Sequence, residues 1–455
     1  MRIHIVGICG TFMAGVALIA RDLGFDVSGC DQHVYPPMSD VLSQANIKVT
    51  TGYDLHQLNN NYDFIIIGNS FSRGHPYIEA IMQSNLRYIS GPQWLFENVL
   101  QHKHVLAVAG THGKTTTSSL LAWLLQQAGF NPGYLIGGSA LNFELPASIG
   151  DSNYFVIEAD EYDTAFFDKR SKFVHYHPTT LILNNLEFDH ADIFADLSAI
   201  KTQFNHLIRT VPGNGLIVSA ANDQELDDVI AKGVWTPITY FGIEHGAWQA
   251  REIVPDGSQF ELWHDDSFVG LVKWQHLGEH NILNALAASA AALNVGMTYE
   301  DIYTGLISFA GVKRRMEVFA TTDQITFYDD FAHHPTAIAT TLSGLRSCVK
   351  NEKIMVMLQL GSRSMQRGAH FHQLIKSLDL ADYIWVLSSK ESCDSCRDLA
   401  AAIPDRVVIY NTVNEILTAM QYGMDASHVV LMSNKSFDGL VPKISDMFKG
   451  SVLQN

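Results

Sequence analysis

His104-Val-Leu-Ala-Val-Ala109 runs without a break into Gly110-Thr-His-Gly-Lys-Thr115. A short apolar run closed by glycine reads as a strand buried on both faces, and the pattern from Thr117 to Ala128 reads as the helix that follows. Strand, glycine turn and helix in that order make a phosphate-binding unit, because the turn presents backbone N–H groups at the positive end of a helix. Gly113 lets the backbone approach a ligand closely, Lys114 reaches terminal phosphates, and the Thr115 hydroxyl is placed to ligate Mg²⁺. The usual loop has glycine six positions before its lysine, where this chain has Val108. The working groups do not depend on that position, so the turn is read as a nucleoside-triphosphate site.

On its N-terminal side, residues 1–102 alternate predicted strands at 3–6, 26–29 and 64–67 with helical patterns, the grammar of a doubly wound parallel sheet. Beyond the phosphate turn, buried strands are expected at 154–159 and 180–183, and the alanine-rich stretch from Asn281 to Val295 reads as a buried helix. From Lys313 onward, strands at 325–328, 354–358, 383–387, 407–410 and 429–432 with helical spacers form another α/β unit. The expected architecture is three α/β domains. They are a Rossmann-like N-terminal domain (1–102), a central P-loop ATPase-type domain (103–312) and a Rossmann-like C-terminal domain (313–455). A length of 455 residues accommodates three.

The chain carries 47 acidic and 30 basic side chains, a formal charge of −17. The excess is local: residues 1–102 hold 8 acidic and 5 basic, residues 103–312 hold 24 and 10, and residues 313–455 hold 15 of each. Such a deficit of base argues against nucleic acid or an anionic membrane surface as a partner. It leaves room for small phosphorylated ligands held by glycine turns. A hydrophobic fraction of 47% supplies ample core and excludes disorder as the main theme. Five scattered cysteines make no disulfide framework, which suits a reducing compartment. Cys393-x-x-Cys396 lacks two further ligands at finger spacing and is read as two unlinked thiols. The apolar run from Ile3 to Ala20 is broken by Gly7, Gly10 and Gly15 and continues into Arg21-Asp22-Leu23-Gly24, a helix end rather than a cleavage site. No other stretch is long and uncharged enough to span a bilayer, so a cytoplasmic location is expected.

Gly7-Ile-Cys-Gly10-Thr-Phe-Met-Ala-Gly15 follows the first strand and opens a helix, with Asp31 at the end of the second strand. The dinucleotide fingerprint needs glycine at positions 9 and 12, where Cys9 and Phe12 stand. The turn still offers N–H groups to a diphosphate; a packing-only turn is the alternative. Glu158-Ala-Asp160-Glu161-Tyr-Asp163 and Asn184-Asn185-Leu-Glu187-Phe-Asp189-His190-Ala-Asp192 each close an apolar strand. Carboxylates at the C-terminal edge of parallel strands, beside a phosphate turn, are where Mg²⁺ binds; a solvated acidic loop is the alternative. The run from Asp223 to Asp266 is read as solvated surface. Composition assigns no role to His280-Asn281-Ile-Leu-Asn284. Lys313-Arg314-Arg315 can be a solvated turn, and an aspartate of Asp329-Asp330-Phe-Ala-His333-His334-Pro335 can cap the next helix.

In this order, Gly110-Thr-His-Gly-Lys-Thr, the Glu158 segment, Asp189-His190, His280-Asn281-x-x-Asn284, Arg314-Arg315 and Asp330-Phe-Ala-His-His-Pro335 resemble the motifs of Mur ligases. Those are the ATP-dependent amide-forming enzymes of bacterial cell-wall precursor synthesis, and the resemblance covers essentially the whole chain. Within that superfamily the chain is most similar to the murein peptide ligases. The similarity lies in Gly7-Ile-Cys-Gly-Thr-Phe-Met13, Gly68-Asn-Ser-Phe-Ser-Arg-Gly74, the run from Glu158 to Tyr176 and the run from Leu181 to Phe194. The resemblance implies ligation of the tripeptide L-Ala-γ-D-Glu-meso-diaminopimelate, recovered from old wall, to UDP-N-acetylmuramate through an acyl phosphate. It implies that Gly7, Gly10, Thr11, Phe12, Met13, Asp31 and Asn69 hold the UDP-sugar. It assigns ATP to Gly110, Thr111, His112, Gly113, Lys114, Thr115, Thr116, Asn281, Arg315 and Asp330, and Mg²⁺ to Thr115, Glu158 and His190. Lys114, Glu158, His190 and His334 are then the catalytic group, with His190 or His334 as base for the attacking amine.

The family's Glu-Pro-Arg-Ser-Asn-Thr-Met stands here as Gln359-Leu-Gly-Ser-Arg363-Ser-Met-Gln-Arg367-Gly368. Its Met-Ser-Asn-Gly-Gly-Phe-Gly-Gly stands as Met432-Ser-Asn-Lys435-Ser-Phe-Asp438-Gly439. Both segments are expected on the peptide side, and Arg363 and Arg367 are candidates for peptide carboxylates, which guanidinium grips bidentately. Some sister ligases carry a carbamylated lysine after the metal-site histidine; Phe204 holds that register, so none is expected here, Lys201 being the nearest lysine. The competing readings are an L-alanine-adding ligase of the same superfamily, a nicotinamide-dependent oxidoreductase reading its first glycine turn, and a non-catalytic nucleotide-binding module.

Overall fold

Three main sheets follow one another along the chain in the computed structural model, which describes residues 1–189 and 193–448. The first is five-stranded and wholly parallel. At its centre is β1 (Arg2–Val6), with β2 (Asp26–Asp31) and Lys48–Thr51 on one side and Phe64–Ile67 and Tyr88–Ser90 on the other. Strand order reverses at β1, so its glycine turn opens at the switch point where such sheets bind ligands. The helix after that turn, α1 (Thr11–Asp22), buries everything from Met13 to Ala20. Gly15 marks why: a Cβ there would stand 3.1 Å from Leu135 and 3.3 Å from Ala147, on an edge hairpin of the second sheet. One continuous apolar core therefore joins the first two sheets.

The second sheet has ten strands. Its β3 (His104–Ala109) leads to α2 (Lys114–Gln127), and β3 lies between β4 (Tyr154–Glu158) and β5 (Thr180–Leu183), all three parallel. Parallel pairing makes the phosphate turn, Glu158 and Asn184 emerge at one edge. The alanine-rich helix α3 (Glu279–Asn294) packs on α2, with Ala285 to Ala292 all buried, so small side chains bring the two helices close. The sheet continues through Leu216–Ala220 and Ile238–Gly242 into an antiparallel meander of Trp248–Arg251, Gln259–His264 and Ser267–Lys273. The acids from Asp223 to Asp266 lie on solvated surface as expected, Asp227, Asp228, Glu244, Glu252, Asp265 and Asp266 being exposed, but the stretch also contributes core, since Phe260 and Leu262 alternate inward with Glu261 and Trp263. Asp223 itself is half-buried and caps the helix Gln224–Ala231, accepting from Glu225 and Leu226 N–H at 3.0 Å. A separate hairpin, Asp163–Ala165 with Asp168–Ser171, carries Phe167 to within 5.3 Å of the Tyr88 ring in the first sheet.

The third sheet sets β6 (Thr326–Asp330) beside His428–Met432, then Ile354–Gln359, Tyr383–Leu387 and Val407–Tyr410, all parallel, with Glu317–Thr321 antiparallel at the edge. Separate apolar cores cover its two faces, as a doubly wound sheet requires. The helix α4 (Pro335–Val349) begins on Pro335, whose fixed φ suits a first turn. The strands predicted at 64–67, 104–109, 180–183, 383–387 and 407–410 coincide with those observed. Among the described residues no helix is long and apolar enough to cross a membrane. The five cysteines are free thiols, and Lys201 is ion-paired with Glu225 and Asp228.

Candidate active site

A cavity of about 1410 Å³ opens where the three domains meet. Its central wall is the phosphate turn. Gly113 is left-handed at φ +79°, and a Cβ there would stand 2.4 Å from Asn284 Oδ1 and 2.9 Å from Asn184 Nδ2, so the turn admits only glycine. Asparagines fix the loop. Asn185 Oδ1 accepts from the His112 N–H at 2.7 Å, and Asn185 Nδ2 donates to the His112 carbonyl at 3.2 Å. The Thr117 hydroxyl accepts from Asn184 Nδ2 and donates to Asn284 Oδ1. Held this way, the first turn of α2 aims its uncapped N–H groups at the cavity, a ready anion site.

Beside it lies a buried charge cluster. Lys114 Nζ donates to Glu161 at 2.9 Å and to the Gly110 carbonyl at 2.8 Å, and sits 3.8 Å from Asp160. Burial works against its charge, but Glu161 and then Asp160 more than offset that, so the ammonium is held. Glu158 accepts from the Thr115 hydroxyl at 3.0 Å and from the Gly137 N–H at 2.7 Å. Burial, followed by Asp160, pushes its carboxyl up to about 7 despite Lys114. Cations and hydrogen bonds near a buried acid at this poise suit a site that exchanges a proton for a metal ion. His190 and Asp192 lie outside the described residues.

The first glycine turn forms the opposite wall. Gly10, Thr11, Phe12, Met13 and Asn69 line the cavity. Gly7 and Asp31 do not; they build the turn, Gly7 at φ +81° donating to the Cys30 carbonyl and Asp31 accepting the Cys9 N–H at 3.0 Å. Likewise Gly110 shapes the phosphate turn, with φ +145°, while Thr111 to Thr116 face inward.

The C-terminal domain supplies the roof through Arg315, Asp330, His334 and Arg363, whereas Arg367 is exposed and outside the cavity lining. The basic triplet is no solvated turn. Arg314 and Met316 are left-handed, and the Arg314 guanidinium donates to the carbonyls of Ser433 and Lys435 at 2.7 and 2.6 Å. Arg315 lies over the Phe331 ring at 5.1 Å. Asp330 does not cap α4; it accepts from Ala332 and Met316 N–H and pins the junction. The cap is His334, whose Nδ1 accepts from the Thr336 N–H at 3.4 Å. That bond leaves the ring proton on Nε2, and burial holds the imidazole down at about 4. The Thr336 hydroxyl donates to Glu187 at 2.7 Å and ties the C-terminal domain to the middle one. Asn281 lines the cavity at the start of α3.

One cavity residue escaped the sequence reading altogether. Lys172 is 7% exposed, with Nζ 5.0 Å from the Phe12 ring and 5.4 Å from Tyr162. Among the described residues no carboxylate reaches ion-pair distance of it, and burial lowers its affinity for a proton. Its neighbours Lys169 and Arg170 are exposed and paired on the hairpin, so the inward turn of the chain at Ser171 was the signal.

Family models match across the chain: the Mur ligase family catalytic domain at residues 2–103, the Mur ligase middle domain at 108–292 and the Mur ligase glutamate ligase domain at 314–435. The UDP-N-acetylmuramate–L-alanyl-γ-D-glutamyl-meso-2,6-diaminoheptandioate ligase of Escherichia coli K12 is 47% identical over 448 residues, 98% of each chain. A crystal structure of a murein peptide ligase from Psychrobacter arcticus, 41% identical, covers 100% of both chains with a TM-score of 0.78. A UDP-N-acetylmuramate–L-alanine ligase of Psychrobacter sp. PRwf-1 is 31% identical over 400 residues, 86% of this chain and 82% of its own.

Proposed function

Because the chain belongs to the Mur ligase family, we propose that it joins L-alanyl-γ-D-glutamyl-meso-diaminopimelate to UDP-N-acetylmuramate with ATP. One observation carries the choice of acceptor. Identity to a ligase of that tripeptide is 47% over 448 residues, a span that takes in all three domains, against 31% over 400 residues for the L-alanine ligase.

ATP sits with its phosphates on the N–H groups of Gly113 to Thr116, at the uncapped start of α2, and the UDP-sugar diphosphate on those of Thr11 to Met13, at the uncapped start of α1. The Thr115 hydroxyl and the buried Glu158 carboxylate suit Mg²⁺, which when bound offsets phosphate charge. The donor carboxylate oxygen attacks the γ-phosphorus and ADP leaves, giving an acyl phosphate. Bringing two anions together demands fixed cations: Lys114 takes the phosphoryl oxygens, and Lys172, between the sugar turn and the acid cluster, takes the carboxylate. The peptide's α-amine then attacks the carbonyl carbon, loses a proton, and inorganic phosphate departs with the C–O bond. Arg363 is placed for a peptide carboxylate. A cytoplasmic location agrees with ATP use and free thiols.

With Mg-ATP and UDP-N-acetylmuramate present, phosphate release should be supported by the tripeptide and not by L-alanine. Turnover with alanine alone would overturn the acceptor. Lys172→Met should raise the KM for UDP-N-acetylmuramate about ten-fold or more and leave the KM for ATP within about two-fold, with Lys172→Arg partly restoring it. Equal rises for both substrates would remove Lys172 from the donor site.

A further inference from the structure

Outside the Thr115–Glu158 pair, His112, Glu187 and His334 converge on one point. A coordinating atom from each lies within 4.8 Å of the other two. Glu187 Oε2 is 3.7 Å from His112 Nε2 and 3.8 Å from His334 Nδ1. His112 Nε2 is buried without a hydrogen-bond partner among the described residues, so a polar atom there is left for something absent. All three side chains line the cavity.

We propose that His112, Glu187 and His334 form a transition-metal site of the zinc type, separate from the magnesium site, which clamps the C-terminal domain onto the phosphate turn. Two imidazoles and one carboxylate are a zinc set with an open fourth position, whereas Thr115 and Glu158 offer only the hard oxygens that magnesium prefers. Tetrahedral bonds of about 2.0–2.1 Å place ligand atoms roughly 3.3 Å apart, so the set must contract by a few tenths of an ångström to about an ångström and a half. The ring proton on His334 Nε2 leaves Nδ1 as the donor lone pair, and the long Thr336 cap bond at 3.4 Å is the contact it would give up. His370, 8% exposed, stacks edge-on to His334 at 4.8 Å and restrains that ring. The ligands come from both sides of a domain junction. His112 sits in the phosphate turn, Glu187 follows β5 and His334 begins α4, so an ion among them opposes opening. Zinc should therefore slow turnover even when magnesium is saturating.

The test is titration of the nucleotide-free protein with Co²⁺ alone, read by visible absorption. One equivalent should give the intense spectrum of tetrahedral cobalt, displaced by Zn²⁺ and not by millimolar Mg²⁺. His112→Ala and His334→Ala should each weaken binding at least about ten-fold, while the exposed His245→Ala leaves it unchanged. Glu187→Gln, which keeps the side chain's shape, replaces either variant that fails to fold. A weak octahedral spectrum, a thiolate charge-transfer band marking Cys393 and Cys396, or a spectrum indifferent to the His112, His334 and Glu187 variants would overturn the site.

Discussion

Lys114→Met should lower phosphate release by about a thousand-fold, with kcat carrying the loss rather than the KM for UDP-N-acetylmuramate. The ammonium is the one cation on the phosphate turn, and its Nζ is already aimed along the cavity wall between Gly110 and Glu161. Charge moves onto the transferred phosphoryl oxygens and the leaving β-phosphate during the step, so its stabilisation is felt most in the transition state. Lysine also has a structural share, because Glu161, Asp160 and Glu158 crowd around it. Removing the cation strands buried carboxylates and should destabilise the protein by about 3–5 kcal/mol at pH 8. Adding Glu161→Gln to Lys114→Met removes one stranded charge. The pair should regain much of the denaturant midpoint and none of the turnover. If activity returns along with stability, Lys114 acts through the fold alone.

Much of this site was legible because its parts are local in sequence. Strand, glycine turn and helix around Gly113 form a continuous pattern, and an acid that ends an apolar strand, as Glu158 does, advertises its edge of the sheet. What escaped depends on register and on neighbours distant in the chain. Lys172 shares a basic run with Lys169 and Arg170, and only the bend after the hairpin turns it inward. Asn184 and Asn185 looked like a prelude to the acids, yet the pairing of β3 with β5 makes them the clamps of the phosphate turn. Asp31 and Gly7 were expected on the ligand, but they hold the turn's backbone. The acids between Asp223 and Asp266 are solvated as their charge suggests, and that charge masks the inward alternation of Phe260 and Leu262 that builds a meander. His334 also caps α4 through Nδ1, a role that depends on where the helix begins.

Glu158→Gln should reduce turnover about a hundred-fold and raise the magnesium needed for half-activity at least ten-fold, because a neutral amide of the same shape still accepts from the Gly137 N–H through its oxygen, with its NH2 donating to the Thr115 hydroxyl, but loses the anion. The same residue predicts a proton linkage. Its carboxyl is raised to about 7 by burial and Asp160, against 4.5 when unhindered, so the folded protein holds a proton the unfolded chain has released. The sign follows from that excess. This group favours the fold fully below about pH 4.5, and its contribution is lost as pH rises through about 7. Magnesium binds the ionised form, so metal uptake near pH 6.5 should release a proton, seen as a calorimetric heat that scales with the buffer's ionisation enthalpy. Without magnesium, the melting temperature should fall between pH 5.5 and about 8, and saturating Mg²⁺ should remove that fall. Glu158→Gln should abolish both the buffer-dependent heat and the difference that magnesium makes to the slope. An unchanged magnesium requirement in Glu158→Gln would take the carboxylate out of the metal site, whatever the turnover does.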